Sequence, residues 1–240
     1  MNPRFLSAGD RALVVEFGDQ IDRVLSERVL RLDAIIRAST PSGVVETVPT
    51  FRSLLVHYDP LLTSRAALEQ AIEGLLHCEH SRRTGARLWL LPACYEGEFA
   101  PDLANVAHLT GLEPAEVVAL HSGTKFHVYM LGFLPGFPYM GDLPPSLALP
   151  RRADPRLRVP AGSISIATSL TAIYPYESPG GWHLIGATPI RLFDPAQPRP
   201  ALLAPGDAVT FRPVDAASFA SIRAAVENYR YEVENAPLAT

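Results

Sequence analysis

Lysine is nearly absent from this chain of 240 residues: Lys125 stands alone against 20 arginines. Cysteine occurs twice, as Cys78 and Cys94, which makes neither a disulfide framework nor a CxxC pair. No apolar run approaches the roughly 18 residues that a membrane-spanning helix requires, so no membrane partner is expected. A dominant charge is missing too. With 21 basic and 25 acidic residues the formal charge is −4, which gives no general field to gather nucleic acid. The opening Met1-Asn2-Pro3-Arg4-Phe5 leads into the polar turn Ser7-Ala8-Gly9-Asp10 without a signal peptide's apolar core. A reduced, cytoplasmic setting is the expectation.

The short signatures of common chemistries are also missing. There is no GxxxxGK[ST] phosphate loop, no GxGxxG fingerprint, no GxSxG elbow and no HExxH helix. A site assembled from the loops of a sheet would leave no such string.

The 48% hydrophobic and 19% charged content permits a packed core, and the length suits one large or two small domains. Proline and glycine divide the chain: residues 1–91 hold four and five of them, residues 132–213 hold fifteen and eight. The first region shows long periodic segments: a strand over 13–17, a helix over 19–38, strands over 44–48 and 53–58, a helix capped by Thr63 or Ser64, and a strand over 88–91. That order predicts a ferredoxin-like α+β sandwich. Residues 99–122 read as a helical connector with Pro114 in a first turn. Strands then follow over 126–133, 163–167, 172–174, 183–185, 190–193 and 208–211, before a last helix over 216–229. Such a series predicts a closed or nearly closed β-barrel. The expected domains are 1–91 and 92–240.

Candidate chemistry lies mostly in the second region. His77-Cys78-Glu79-His80 has metal-ligand types, but a solvated helix end explains it as well, and no metal is expected. The segment from Gly132 to Gly141 sets Phe133, Phe137 and Tyr139 on a stiff loop, as a frame for a planar ligand, a partner contact, or a plug for the barrel end. Arg151, Arg152, Arg156 and Arg158 fall within eight residues and precede Ala161-Gly162-Ser163. Guanidinium forks and a turn's amides suit an anion, and a solvated loop is the alternative. Tyr174, Glu177, Gly180, Gly181 and His183 surround a tight turn, where His183 can serve as an acid/base group or simply open a strand. His121-Ser122 needs an orienting acid that sequence cannot place.

Taken in order, these strings resemble the family that includes the B-type 5-oxoprolinase subunit, allophanate hydrolase subunit 1 and the Kip-type sporulation histidine-kinase inhibitor. The matching stretches are Gly9-Asp10-Arg11-Ala12-Leu13, Ser53-Leu54-Leu55-Val56 with Tyr58-Asp59-Pro60, His121-Ser122, and Val128 to Phe133 with Pro135-Gly136-Phe137-Pro138-Tyr139. Pro155-Arg156 with Val159-Pro160-Ala161-Gly162-Ser163, Ile173-Tyr174-Pro175, Ser178 to Trp182, Leu184-Ile185-Gly186 and Leu192-Phe193-Asp194-Pro195 continue the series. The chain departs from the family's Gly-x-Gln-Thr-Gly-Ile-Tyr-Pro at Thr168, Leu170 and Ala172, and from Leu-Ile-Gly-Arg-Thr-Pro at Ala187.

The resemblance implies an N-terminal α+β domain, a C-terminal cyclophilin-like barrel with no isomerase activity inferred from fold alone, and one subunit of an ATP-dependent 5-oxoprolinase-type amidohydrolase. It implies a larger companion resembling allophanate hydrolase subunit 2, and ATP with Mg²⁺ in the complex rather than a cofactor held tightly by this chain. Two alternatives stand beside it: a carboxyltransferase component of a urea- or amide-carboxylating system, and a non-catalytic inhibitor of a histidine kinase. For the leading reading, His183, Tyr174 and His121 are the expected catalytic residues. Arg152, Arg158, Gly162, Ser163, Gly180 and Gly181 are expected to hold the anion, and Phe133, Phe137 and Tyr139 to shape the cleft or the partner contact.

Overall fold

A computed structural model describes residues 2–76 and 85–238, and the chain divides after Gly85 into two units with separate cores. The His77-Cys78-Glu79-His80 cluster lies outside the described residues.

In the first unit, alternation of apolar residues makes β2 (Ala12–Glu16) after the short strand β1 (Arg4–Ser7). Helix α1 (Arg23–Ser39) starts later than periodicity alone suggests, because the Asp22 carboxylate accepts the Leu25 amide at 3.0 Å and caps it there. Strands β3 (Val44–Pro49) and β4 (Ser53–Tyr58) form a hairpin, and Ser64 caps α2 (Arg65–Leu76) by accepting the Ala67 amide. The sheet is antiparallel in the order β1-β2-β4-β3. Leu13, Val15, Leu54 and Val56 meet Val29, Leu32, Ile36, Leu68 and Ile72 of the helices in one core.

The strand expected to complete this sheet, 88–91, does not join it. It is β5 (Arg87–Ala93), which runs parallel to β13 (Ala208–Pro213) and antiparallel to β14 (Asn235–Pro237) in the second unit. The edge beside β2 is taken by β1, which a short turn brings back at little loop-closure cost. The boundary therefore falls at 85/86 rather than 91/92.

The connector of the second unit is two helices, α3 (Leu103–Thr110) and α4 (Pro114–Ser122). Gly111 ends the first with φ +71°, and Glu113 and Glu116 form a capping box on the second. The remaining strands are β6 (Phe126–Leu131), β7 (Pro138–Gly141), β8 (Arg156–Val159), β9 (Ser163–Ala167), β10 (Leu170–Ile173), β11 (Ser178–Gly180) and β12 (His183–Ala187). An eight-stranded sheet runs β12-β9-β10-β7-β6-β13-β5-β14, with β8 and β11 as a separate ribbon. Helix α5 (Ala216–Glu227) follows, capped by Asp215. The expected strand over 190–193 is absent; Phe193 makes one bridge, to Ala201.

Of the closed or nearly closed barrel expected, the closed form is not made. The outer edge of β12 meets the end of β5 at a single bridge, Cys94 with Ala187. A bulge between Leu184 and Gly186 interrupts the register there, and Asp102 occupies the rest of the edge. Its amide donates to the Leu184 carbonyl at 2.9 Å and its carboxylate accepts the Leu184 amide at 2.7 Å. Among the described residues no helix is long and apolar enough to cross a membrane.

Candidate functional site

Pairing register sorts the second sheet's side chains onto two faces, because alternate strand residues point to opposite sides. His183, Ile166, Thr171 and Met140 lie opposite one another in successive strands, and so share one face. That face carries the core, with Ile164, Ile173 and Val128 beside Ile166 and Met140. Leu184, Ser165, Ala172 and Tyr139 share the other face. Two residues along from them, on the same side, come Trp182, Tyr174 and Phe137.

These four aromatics meet. The Phe137 ring lies 5.0 Å from those of Tyr139 and Tyr174 and 6.5 Å from Trp182, and Tyr139 lies 6.0 Å from Trp182. Edge-to-face contacts of this kind satisfy the ring quadrupoles as well as burying area. Phe133 extends the cluster at 5.4 Å from Phe137, is 62% exposed, and holds a left-handed backbone at φ +71°. Arg151 lies over Trp182, 5.9 Å from guanidinium carbon to ring centroid.

Burial pushes the Tyr174 phenol up to about 12, helped by Tyr139 and opposed by the nearby charges of Arg151 and Arg156. Burial raises Tyr139 as well, against the pull of Arg151. Both phenols are protonated near neutrality and can donate. Gly180 packs on its hydroxyl: a Cβ there would stand 2.2 Å from Oη, so a side chain at 180 would displace the phenol.

Behind the aromatics, Asp102 gathers two of the arginines. Its Oδ1 accepts from Arg152 Nη1 at 3.0 Å and Arg156 Nη2 at 2.6 Å, and its Oδ2 accepts from Arg156 Nη1 at 2.8 Å. Burial alone would raise this carboxyl. The hydrogen bonds from Arg156 and the Leu184 amide, with the charges of both arginines, outweigh burial and hold it below its usual range. One carboxylate against two guanidiniums leaves positive charge in excess beside the aromatic face. Sequence reasoning singles out neither Asp102 nor Arg151: Asp102 carries no motif, and Arg151 is one arginine among four.

Several expected site residues are elsewhere. Arg158 points to solvent, 79% exposed in its side chain, paired with Glu177; the irregular pairing of β8 with β11 parts it from Arg156, two residues back in the same strand. The amides of Gly162 and Ser163 are already committed, to the carbonyls of Tyr174 at 2.7 Å and Pro160 at 3.3 Å, so neither offers a donor to an anion. Gly162 has another reason to be glycine: at φ +83° its Cβ would stand 2.4 Å from the Thr188 carbonyl oxygen. Gly181 is used through its carbonyl, which accepts the Arg152 amide at 2.8 Å.

His121 is an interior residue. Fully buried, it stacks near Phe211 and Phe126, each 4.9 Å away, and burial lowers its pKa to about 3. The Thr171 hydroxyl donates to the Ser165 carbonyl at 2.9 Å, so His121 Nε2–H donates to Thr171 at 3.0 Å while Nδ1 accepts the Tyr95 hydroxyl at 2.9 Å. Its neighbour Ser122 donates back to the Val118 carbonyl. This is a spent hydrogen-bond chain, not a catalytic pair. His183 lies on the core face, opposite in sense to Tyr174; its Nε2 donates to the Pro150 carbonyl at 3.0 Å and its buried Nδ1 has no partner. Of the three expected catalytic residues, only Tyr174 joins the aromatic cluster.

The comparisons with known proteins agree on a family. Residues 3–203 match the family described as the carboxyltransferase domain, subdomain C and D. The B-type 5-oxoprolinase subunit of Bacillus subtilis is 39% identical, aligned over 85% of this chain and 89% of its own length. The Escherichia coli O157:H7 protein of the same name is 42% identical over 85% and 93%. The crystal structure of TTHA0988 superposes with a TM-score of 0.78 at 37% identity, over 86% of this chain and 41% of that one, so this chain spans about two-fifths of TTHA0988. More distantly, 96% of the chain aligns at 28% identity with 14% of the urea amidolyase of Lachancea kluyveri.

Proposed function

The chain belongs to the carboxyltransferase-domain family, and we propose that it works as one subunit of an ATP-dependent 5-oxoprolinase-type amidohydrolase, which opens the lactam of 5-oxoproline to glutamate. The observation that carries this reading is the likeness to two B-type 5-oxoprolinase subunits at 39 and 42% identity, over about nine-tenths of their length. A subunit of this type requires a companion, and a larger chain resembling allophanate hydrolase subunit 2 is the proposed one. A lactam amide is a poor electrophile, so coupling to ATP would activate its carbonyl before water attacks. ATP with Mg²⁺ is proposed to bind in the complex, at an atypical site or one the companion completes, since this sequence has no phosphate loop. Cytoplasmic residence belongs to the same proposal.

The chemistry on the aromatic side suits a small, flat, anionic substrate: phenol donors, ring walls and excess positive charge, with Asp102 fixing two of the arginines. The finer fold descriptions also belong here. The order β2-β4-β3 with two helices supports a ferredoxin-like reading of the first unit, and the curled eight-stranded sheet supports a cyclophilin-like reading of the second.

The test is direct. The chain purified with its companion should release glutamate and ADP from 5-oxoproline and ATP, and a folded complex that releases no glutamate rejects the assignment. Two observations favour a second reading, a carboxyltransferase component of a urea- or amide-carboxylating system: the family description itself and the likeness to urea amidolyase. Carboxylation of a substrate by carboxybiotin, dependent on this chain, would replace the first reading with the second.

A further inference from the structure

Each arginine between residues 151 and 158 has a carboxylate, with one exception. Arg152 and Arg156 share Asp102, and Arg158 pairs with Glu177. Among the described residues no carboxylate pairs with Arg151, although the backbone on both sides of it is pinned. The Pro150 carbonyl accepts from His183 Nε2 at 3.0 Å, and the Arg152 amide donates to the Gly181 carbonyl at 2.8 Å. A residue fixed on both flanks, with its guanidinium laid over Trp182 and its charge left unmatched, is arranged to receive an anion.

We propose that Arg151 is the carboxylate anchor of this site, and that the aromatic face takes a small planar ring carrying a carboxylate, with the ring against the partly exposed Tyr139. A guanidinium lying over an indole keeps its edge N–H groups available, and the fork they form matches the two oxygens of a carboxylate. The Tyr139 and Tyr174 phenols nearby are protonated, so they add donors and no repelling charge. The carboxylate of the immediate neighbourhood, Asp102, is covered by two arginines and a backbone amide. Asp154, in the same loop, is exposed to solvent as Arg151 is, and makes no ion pair with it. The identity of the ring as 5-oxoproline rests on the proposed function; the ligand class does not. On that reading this subunit grips the carboxylate end of the substrate and leaves the lactam amide to the activating machinery of the complex.

The experiment compares Arg151→Gln, Arg151→Lys and Arg158→Gln in the complex with its companion, and in the full chain alone. In the complex, Arg151→Gln should raise KM for 5-oxoproline roughly 10- to 100-fold, the weight of a hydrogen-bonded charge pair, with KM for ATP unmoved. Arg151→Lys should keep part of the affinity because it keeps charge but loses the fork, and Arg158→Gln should match wild type. In the full chain, pyrrole-2-carboxylate and 5-oxoproline should perturb Trp182 fluorescence through Arg151, and pyrrolidin-2-one, which lacks the carboxylate, should not. An active Arg151→Gln complex with unchanged KM for 5-oxoproline overturns the anchor and leaves the proposed function standing. A complex inert toward 5-oxoproline, in which this chain still binds pyrrole-2-carboxylate through Arg151, removes the proposed function and keeps the anchor. Failure of every carboxylate both to bind and to turn over removes both.

Discussion

Thr168 occupies a conformation its side chain resists. It is the first residue of the two-residue turn between β9 and β10 and has φ +54°, where a β-branched residue is strained. The family pattern has glycine at this position, and the turn explains why. Thr168→Gly is expected to stabilise the chain by about 1 kcal/mol, since relief of a left-handed Cβ outweighs glycine's extra unfolded-state entropy. Urea unfolding checks this, and a lower midpoint in the variant would mean that the Thr168 hydroxyl's bond to the Ala167 carbonyl matters more than the strain. His121 carries a pH prediction with a definite sign. Its folded pKa, near 3, lies below the ordinary 6.5, so the unfolded chain takes up the proton first and stability falls as pH drops from about 6.5 toward 3. Each pH unit within that window costs up to about 1.4 kcal/mol. His121→Gln, neutral throughout, should lose less stability than wild type between pH 7 and 5, and equal losses would show that His121 is not the sensor. At this scale the sequence points to the right neighbourhoods more often than to the right atoms. Tyr174, Phe137 and Tyr139, drawn from separate motifs, meet in one cluster, whereas the choice among four nearby arginines needs the backbone geometry. The pairing of β8 with β11 is irregular between Ser178 and Gly180, so regular alternation fails there: Arg156 reaches Asp102, 54 positions away, while Arg158 goes outward to Glu177.

Asp102 ties elements together: it precedes α3, covers the edge of β12, and holds the segment from Arg152 to the start of β8. Asp102→Ala would leave two quarter-exposed guanidiniums and the Leu184 amide without their acceptor. The expected cost is about 2–4 kcal/mol, somewhat under that of breaking a fully buried pair, because solvent reaches the arginines. A double-mutant cycle with Arg156→Leu measures the coupling, and additive effects would reduce the clamp to a surface contact. Helices are the legible elements, since caps and period mark them in the sequence: Ser64, one of the two caps expected, and Pro114 stand in place. Short strands are not. The segment β11, Ser178-Pro179-Gly180, has no side-chain alternation to read, and β7 hides in a proline- and glycine-rich loop. Barrel closure escapes the sequence for a related reason. Strand count says nothing of an edge covered by one aspartate and a bulge.

At the scale of the whole molecule, two cores with no residue in common predict two unfolding events. Pattern alone divides the chain into two regions but assigns 88–91 to the wrong one, because a strand's partners lie far along the chain: β5 pairs with residues 208–213 and 235–237. The placement of tryptophan makes the prediction readable. Trp89 and Trp182 both belong to the second unit, and they are the only tryptophans in the sequence. Indole fluorescence therefore follows the second unit alone, whereas far-ultraviolet circular dichroism follows both. Leu54→Ala empties part of the first core, and Ile166→Ala part of the second; each should cost about 2–5 kcal/mol in its own unit. Leu54→Ala should move an early step in circular dichroism and leave the fluorescence midpoint where it is, while Ile166→Ala should shift the fluorescence. If both variants displace both signals equally, the chain unfolds as one cooperative body, and the two cores are coupled more tightly than their separate memberships imply.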